Sequence, residues 1–105
     1  MSNVYTPDNW RIIRIEYLGQ YLRHRIMCSW YGGYGGSDRW KLSSGIQAIE
    51  KYDDHYILSN RSGSKYRLFK SSEGWSGYGL AIFENLIADS PNVILTPVSI
   101  EDIHV

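Results

Sequence analysis

The chain has 105 residues and 12.1 kDa, with 11 Lys plus Arg against 11 Asp plus Glu, so its formal charge is zero. That length predicts one domain, residues 1–105, burying roughly 60–68 % of the unfolded surface. It disfavours multidomain enzymes and any core that must also enclose a large active-site cavity. No apolar run reaches the roughly 18 residues that cross a bilayer.

Residues 1–9 read as an extended lead-in, broken by Pro7 and Asp8. They lack the basic-then-apolar order of a signal peptide. Trp10 to Tyr17 reads as a strand, with Ile13, Ile15 and Tyr17 on one face and Arg14 and Glu16 on the other. Gly19-Gln20 turns the chain. Leu22 to Tyr31 alternates again: Leu22, His24, Ile26, Cys28 and Trp30 against Arg23, Arg25, Met27, Ser29 and Tyr31. Two such runs one turn apart predict an antiparallel hairpin.

The run Trp30-Tyr31-Gly32-Gly33-Tyr34-Gly35-Gly36-Ser37-Asp38-Arg39-Trp40 follows. Four glycines in five positions disfavour a regular strand. The run predicts a loop with Tyr34 at its tip, and loops carry binding residues disproportionately. It is not a phosphate loop, because GxxxxGK[ST] is absent.

Trp40 to Ser43 predicts a short strand. Gly45 marks a bend or bulge. Ile46 to Tyr52 predicts another strand, with Ile46, Ala48, Glu50 and Tyr52 on one side. Tyr56-Ile57-Leu58-Ser59 and Lys65 to Phe69 flank Asn60-Arg61-Ser62-Gly63-Ser64 and predict a hairpin. After Trp75 the apolar period changes from two to 3.6. Leu80, Phe83, Leu86 and Ile87 predict one helix over 77–89, capped by Ser76 and stopped by Pro91. The reading expects Leu80, Phe83 and Ile87 to face the sheet. Val93 to Thr96 predicts an edge strand, and Ser99 to Asp102 a single capped turn.

The charge is unevenly placed. Residues 1–70 carry a net +5 and residues 71–105 a net −5. Opposite charges so close in one domain predict that the acidic segment folds back on the basic sheet and neutralises it. Nine Tyr and four Trp against two Phe suit half-buried sheet faces and recognition surfaces.

Catalytic and metal chemistry find little support. Cys28 is the only cysteine, so no internal disulfide can form. Cys28 and His24 lie four residues apart on one strand, roughly 13 Å, too far for contact. His55 with Asp53 or Asp54 could reach Cys28 only from another strand. No CxxC or HxxxH spacing marks a metal site.

The words Trp40-Lys41-Leu42-Ser43-Ser44-Gly45-Ile46 and Ser62-Gly63-Ser64-Lys65-Tyr66-Arg67-Leu68 resemble small bacterial proteins of the kind carried by prophages and mobile elements. The resemblance covers the middle third of the chain. It implies a bacterial, cytoplasmic setting and no functional residue.

The reading therefore expects an α+β domain, a small antiparallel sheet or half-barrel of five to six strands with one helix packed on it. It expects a non-catalytic binding module with no cofactor and no membrane. A macromolecular partner, first of all a protein, contacts Tyr31, Tyr34, Arg39, Trp40 and Arg23 on the loop and adjoining sheet. A homodimer is compatible with this. The alternatives are a weak single-stranded nucleic-acid binder, through interleaved Arg and Tyr, and a small Cys/His hydrolase.

Overall fold

The computed structural model describes residues 4–32 and 38–103. Among them are strands β1 (Val4–Tyr5), β2 (Asn9–Tyr17), β3 (Gln20–Trp30), β4 (Arg39–Leu42), β5 (Ile46–Lys51), β6 (His55–Asn60), β7 (Lys65–Phe69) and β8 (Val93–Val98). One α-helix, α1 (Gly77–Ala88), and two 3-10 turns, Lys70–Ser72 and Ile100–Asp102, complete them.

The strands form two four-stranded sheets, ordered β1-β7-β6-β5 (sheet one) and β4-β3-β2-β8 (sheet two). The class is α+β, as expected, but the single sheet of five or six strands becomes eight strands in two. The handover occurs at Ser43–Gly45. Ser43 still belongs to sheet two: its N–H donates to the Ile26 carbonyl and its hydroxyl accepts from the Ile26 N–H. Two residues later the Gly45 carbonyl accepts from Arg61, in the β6–β7 loop. A three-residue transfer leaves no trace in local periodicity.

Sheet two is covered on both faces. Trp10 and Ile12 of β2 and Ile26 and Cys28 of β3 point to sheet one, where they meet Tyr56, Leu58, Tyr66 and Leu68. Ile13 and Ile15 of β2 and Met27 of β3 point the other way, to Phe83 of α1. Strand alternation dictates this division, since successive side chains point to opposite faces. Trp10, Ile12, Ile13 and Ile15 thus send apolar side chains to both faces of β2.

Three local features depart from the sequence reading. A bulge between Ile46 and Ala48 adds a residue to β5, so Ile46 and Ile49 pack on the core while Ala48 and Glu50 are exposed. On α1 the packed stripe is Ile82, Phe83 and Leu86, whereas Leu80 and Ile87 are 39 % and 45 % exposed. These two lie about 100° around the helix from the centre of the packed stripe, on its rim. Val4–Tyr5 is a strand, paired in parallel with Lys65–Tyr66. The helix bounds and its Ser76 cap agree with expectation, the Ser76 hydroxyl accepting from the Gly79 N–H at 2.9 Å. The hairpin of β6 and β7 also agrees, and β8 lies at the edge of sheet two.

Phe83 is 5 % exposed, with its ring centroid 4.9 Å from that of Trp75. Phe83→Ala should destabilise the protein by about 3–5 kcal/mol in urea unfolding, because it leaves a cavity between helix and sheet. Two buried tyrosines make alkaline pH a second probe. Tyr56 is pushed up from 10 to about 12, first by its hydrogen bond to Glu101 and then by burial. Tyr66 is pushed up to about 12, chiefly by burial. The folded state keeps both protons where the unfolded chain releases them. Stability should therefore be full below about pH 10 and fall as pH rises toward about 12. Unfolding free energies measured across that range should show the loss, and Tyr66→Phe should reduce it.

Candidate functional site

Strands β1 and β4 are edge strands of different sheets, and an open cleft of about 400 Å³ lies between them. Val4, Tyr5, Thr6, Trp30, Arg39, Trp40 and Lys41 line it. Its aromatic wall is fixed by direct contacts. The Trp30 indole N–H donates to the Thr6 carbonyl at 3.1 Å. The Tyr5 ring stacks on Tyr66 at 5.1 Å and meets Trp30 edge-on at 6.4 Å. The Lys41 ammonium stands 4.3 Å from the Tyr5 ring centroid, within cation–π range.

Register explains the basic side. Arg39 pairs with Trp30 and Lys41 with Cys28, so both cations lie on the face of β4 that looks toward sheet one. Trp40 pairs with Ser29 and Leu42 with Met27, on the helix-covered face. Trp40 therefore borders the cleft from the far side of β4, and it is 38 % exposed. Tyr31 stands at the end of β3, 59 % exposed. Its N–H donates to Asp8 Oδ2 and its hydroxyl to Asn9 Oδ1, both at 2.8 Å. Tyr34 lies outside the described residues. Arg23 belongs to a different neighbourhood: seven strand residues separate it from Trp30, roughly 23 Å.

A second hollow, of about 530 Å³, was not anticipated. Arg14, Tyr21, His24, Val98, Asp102 and Ile103 line it. It lies on the inner face of sheet two, where Arg14 opposes His24 in the β2–β3 register. The Tyr21 hydroxyl meets His24 Nδ1 at 3.0 Å, and the Arg14 guanidinium lies 4.9 Å from the Tyr21 ring centroid. Arg14 also pairs with Glu16 at 3.1 Å. Burial, helped by the Arg14 charge, lowers the His24 pKa below its usual value and favours the neutral ring. These polar groups already satisfy one another. In the sequence, the only signal was that Arg14 and His24 face the same way on strands joined by one turn.

Neither hollow is lined by Cys28. Cys28 is fully buried, and burial raises its thiol pKa far above the usual range. A protonated, enclosed thiol is a poor nucleophile. His55 is engaged with Asp54 at 2.6 Å and stacks on Tyr52 at 4.7 Å. Neither His24 nor His55 hydrogen-bonds Cys28 among the described residues. No group of three metal-ligating side chains gathers among those residues, and none of their helices is long and apolar enough to cross a membrane.

No family model, no curated protein and no solved structure matches the chain.

Cys28 should resist a thiol-reactive probe for hours in the native protein and react promptly in urea. Mass spectrometry of the labelled chain reads this directly, and native labelling within seconds would mark Cys28 as an accessible nucleophile.

Proposed function

We propose that the chain is a non-catalytic binding module that seats an extended, acidic segment of a protein partner in the cleft between β1 and β4. The observation that carries this reading is the pair Arg39 and Lys41 on one face of an edge strand, opposite the aromatic wall of Tyr5 and Trp30.

An edge strand has unpaired N–H and C=O groups and can accept one more strand. Among the described residues, β4 pairs only with β3, and β1 only with β7. The occupant's charge follows from the cations. A second β4 laid against the first would bring Arg39 and Lys41 up to their own copies, and this repulsion opposes edge-to-edge self-pairing. Carboxylates on an incoming strand would instead satisfy both cations, and its apolar side chains would cover Tyr5 and Trp30. Exposed Tyr31 and Trp40 flank the cleft as further contact area, in keeping with the weight aromatic residues carry at interfaces. Arg23 has no part in this contact.

Selection from a phage-displayed peptide library tests the proposal. Enriched sequences should be rich in Asp and Glu beside apolar residues. The double variant Arg39→Glu, Lys41→Glu should abolish their binding, and Trp40→Ala should weaken it by about 1–2 kcal/mol. Affinity should fall moderately with salt, as two exposed charge pairs are screened. Preferential binding of single-stranded oligonucleotides, with affinity falling steeply with salt, would overturn the protein-partner reading in favour of nucleic acid.

A further inference from the structure

Charge placement in the sequence predicts that the acidic C-terminal third neutralises the basic remainder. Among the described residues the carboxylate pairs are Arg14–Glu16, Lys51–Glu101 and His55–Asp54, and only Lys51–Glu101 joins the two parts of the chain. Arg23, Arg25 and Arg61 take part in none of them.

Arg23 and Arg61 are neighbours, and Arg25 follows Arg23 on β3. A Cβ placed on Gly45 would lie 3.2 Å from Arg23 Cδ and 3.3 Å from Arg61 Cδ. Both side chains thus pack their stems on one glycine, which leaves them room. Arg25 is two residues from Arg23 on the same face of β3. Its Nε is buried and has no hydrogen-bond partner. Burial and then the Arg23 charge lower the Arg25 pKa. The flanking loops are held in place: the Ser44 hydroxyl donates to the Ser62 hydroxyl at 3.1 Å and accepts from the Ser62 N–H at 3.2 Å. The Asn60 amide donates to the Ser44 carbonyl at 2.7 Å.

A guanidinium does not relieve repulsion by losing its proton, because its pKa lies above about 12. A counter-anion relieves it directly. Arginine's planar fork suits tetrahedral oxyanions, which accept two parallel N–H bonds.

We infer that Arg23 and Arg61, which meet at Gly45, and Arg25, two residues along β3 from Arg23, form a binding site for a compact phosphate-class oxyanion. This site lies toward the other end of β3 from the proposed cleft and is independent of it. Arg23 and Arg61 supply guanidinium donors beside Gly45, and Arg25 supplies an Nε–H that has no other partner.

NMR of the arginine side-chain Nε–H groups reads the site directly. Titration of the full chain with inorganic phosphate should give saturable shifts at Arg23, Arg25 and Arg61. Potassium chloride at matched ionic strength should not. Phosphate should raise the Tm of the wild type and leave that of Arg61→Gln unchanged, and this variant should bind phosphate at least tenfold more weakly. Arg61 is exposed on a loop, so its replacement keeps the fold testable. Equal responses to phosphate and chloride, or unchanged affinity in both Arg61→Gln and Arg23→Gln, would overturn the site. So would binding confined to a ten-residue oligothymidylate and lost at moderate salt, which would mean a diffuse positive field instead of a compact site.

Discussion

Trp10 joins the three layers of this molecule. Its indole is 1 % exposed and sits between the sheets, edge-on to Tyr56 at 6.3 Å. The indole N–H donates to the Phe69 carbonyl at 2.8 Å, at the end of β7 in sheet one. Its backbone carbonyl accepts from the Gly74 N–H at 2.8 Å, just before the helix begins. One residue of β2 thus ties sheet two to sheet one through its side chain, and to the approach of α1 through its backbone. A buried indole whose N–H finds a partner contributes both its large apolar area and a satisfied donor. The rest of β2 continues the scheme, Ile12 facing sheet one and Ile13 and Ile15 facing the helix.

Both surface features depend on that arrangement. Because sheet two is held between sheet one and the helix, its edge strand β4 is kept beside β1 of the other sheet, and the cleft opens between them. Tyr5 and Trp30 are each anchored there, by Tyr66 and by the Thr6 carbonyl. Preorganised walls lower the entropy lost on binding. The arginine cluster depends on the crossing at Ser43–Gly45, which brings the β6–β7 loop up to β3. The cleft and the cluster use opposite ends of the same long strand.

The charge distribution takes on meaning only in three dimensions. In sequence, +5 and −5 look like halves of a self-neutralising domain. In the fold, Glu101 contacts Lys51 and Tyr56, and Glu73 accepts from the Ile100 N–H. Those carboxylates secure the C-terminal turn over the sheet-one core. They do not reach Arg23, Arg25, Arg39 or Arg61, which stay unpaired with any carboxylate among the described residues.

Period and punctuation in the sequence determined most of the local structure: the β2–β3 hairpin, the β6–β7 hairpin, the Ser76-capped helix and the turn after Ser99. Each rests on residues close together in the chain, whose alternation or 3.6-residue spacing follows from backbone geometry alone. The strand that carries Arg39 and Trp40, residues of the proposed cleft, was likewise legible. Only the tertiary structure decided the number of sheets, the two-residue β1, the bulge that turns Ile49 inward, and the separation of Arg23 from the cleft. It also decided which charges meet. These outcomes depend on contacts between residues distant in sequence, such as Val4 with Lys65, Gly45 with Arg61 and Trp10 with Phe69, and no periodicity within one strand carries information about which strand lies opposite.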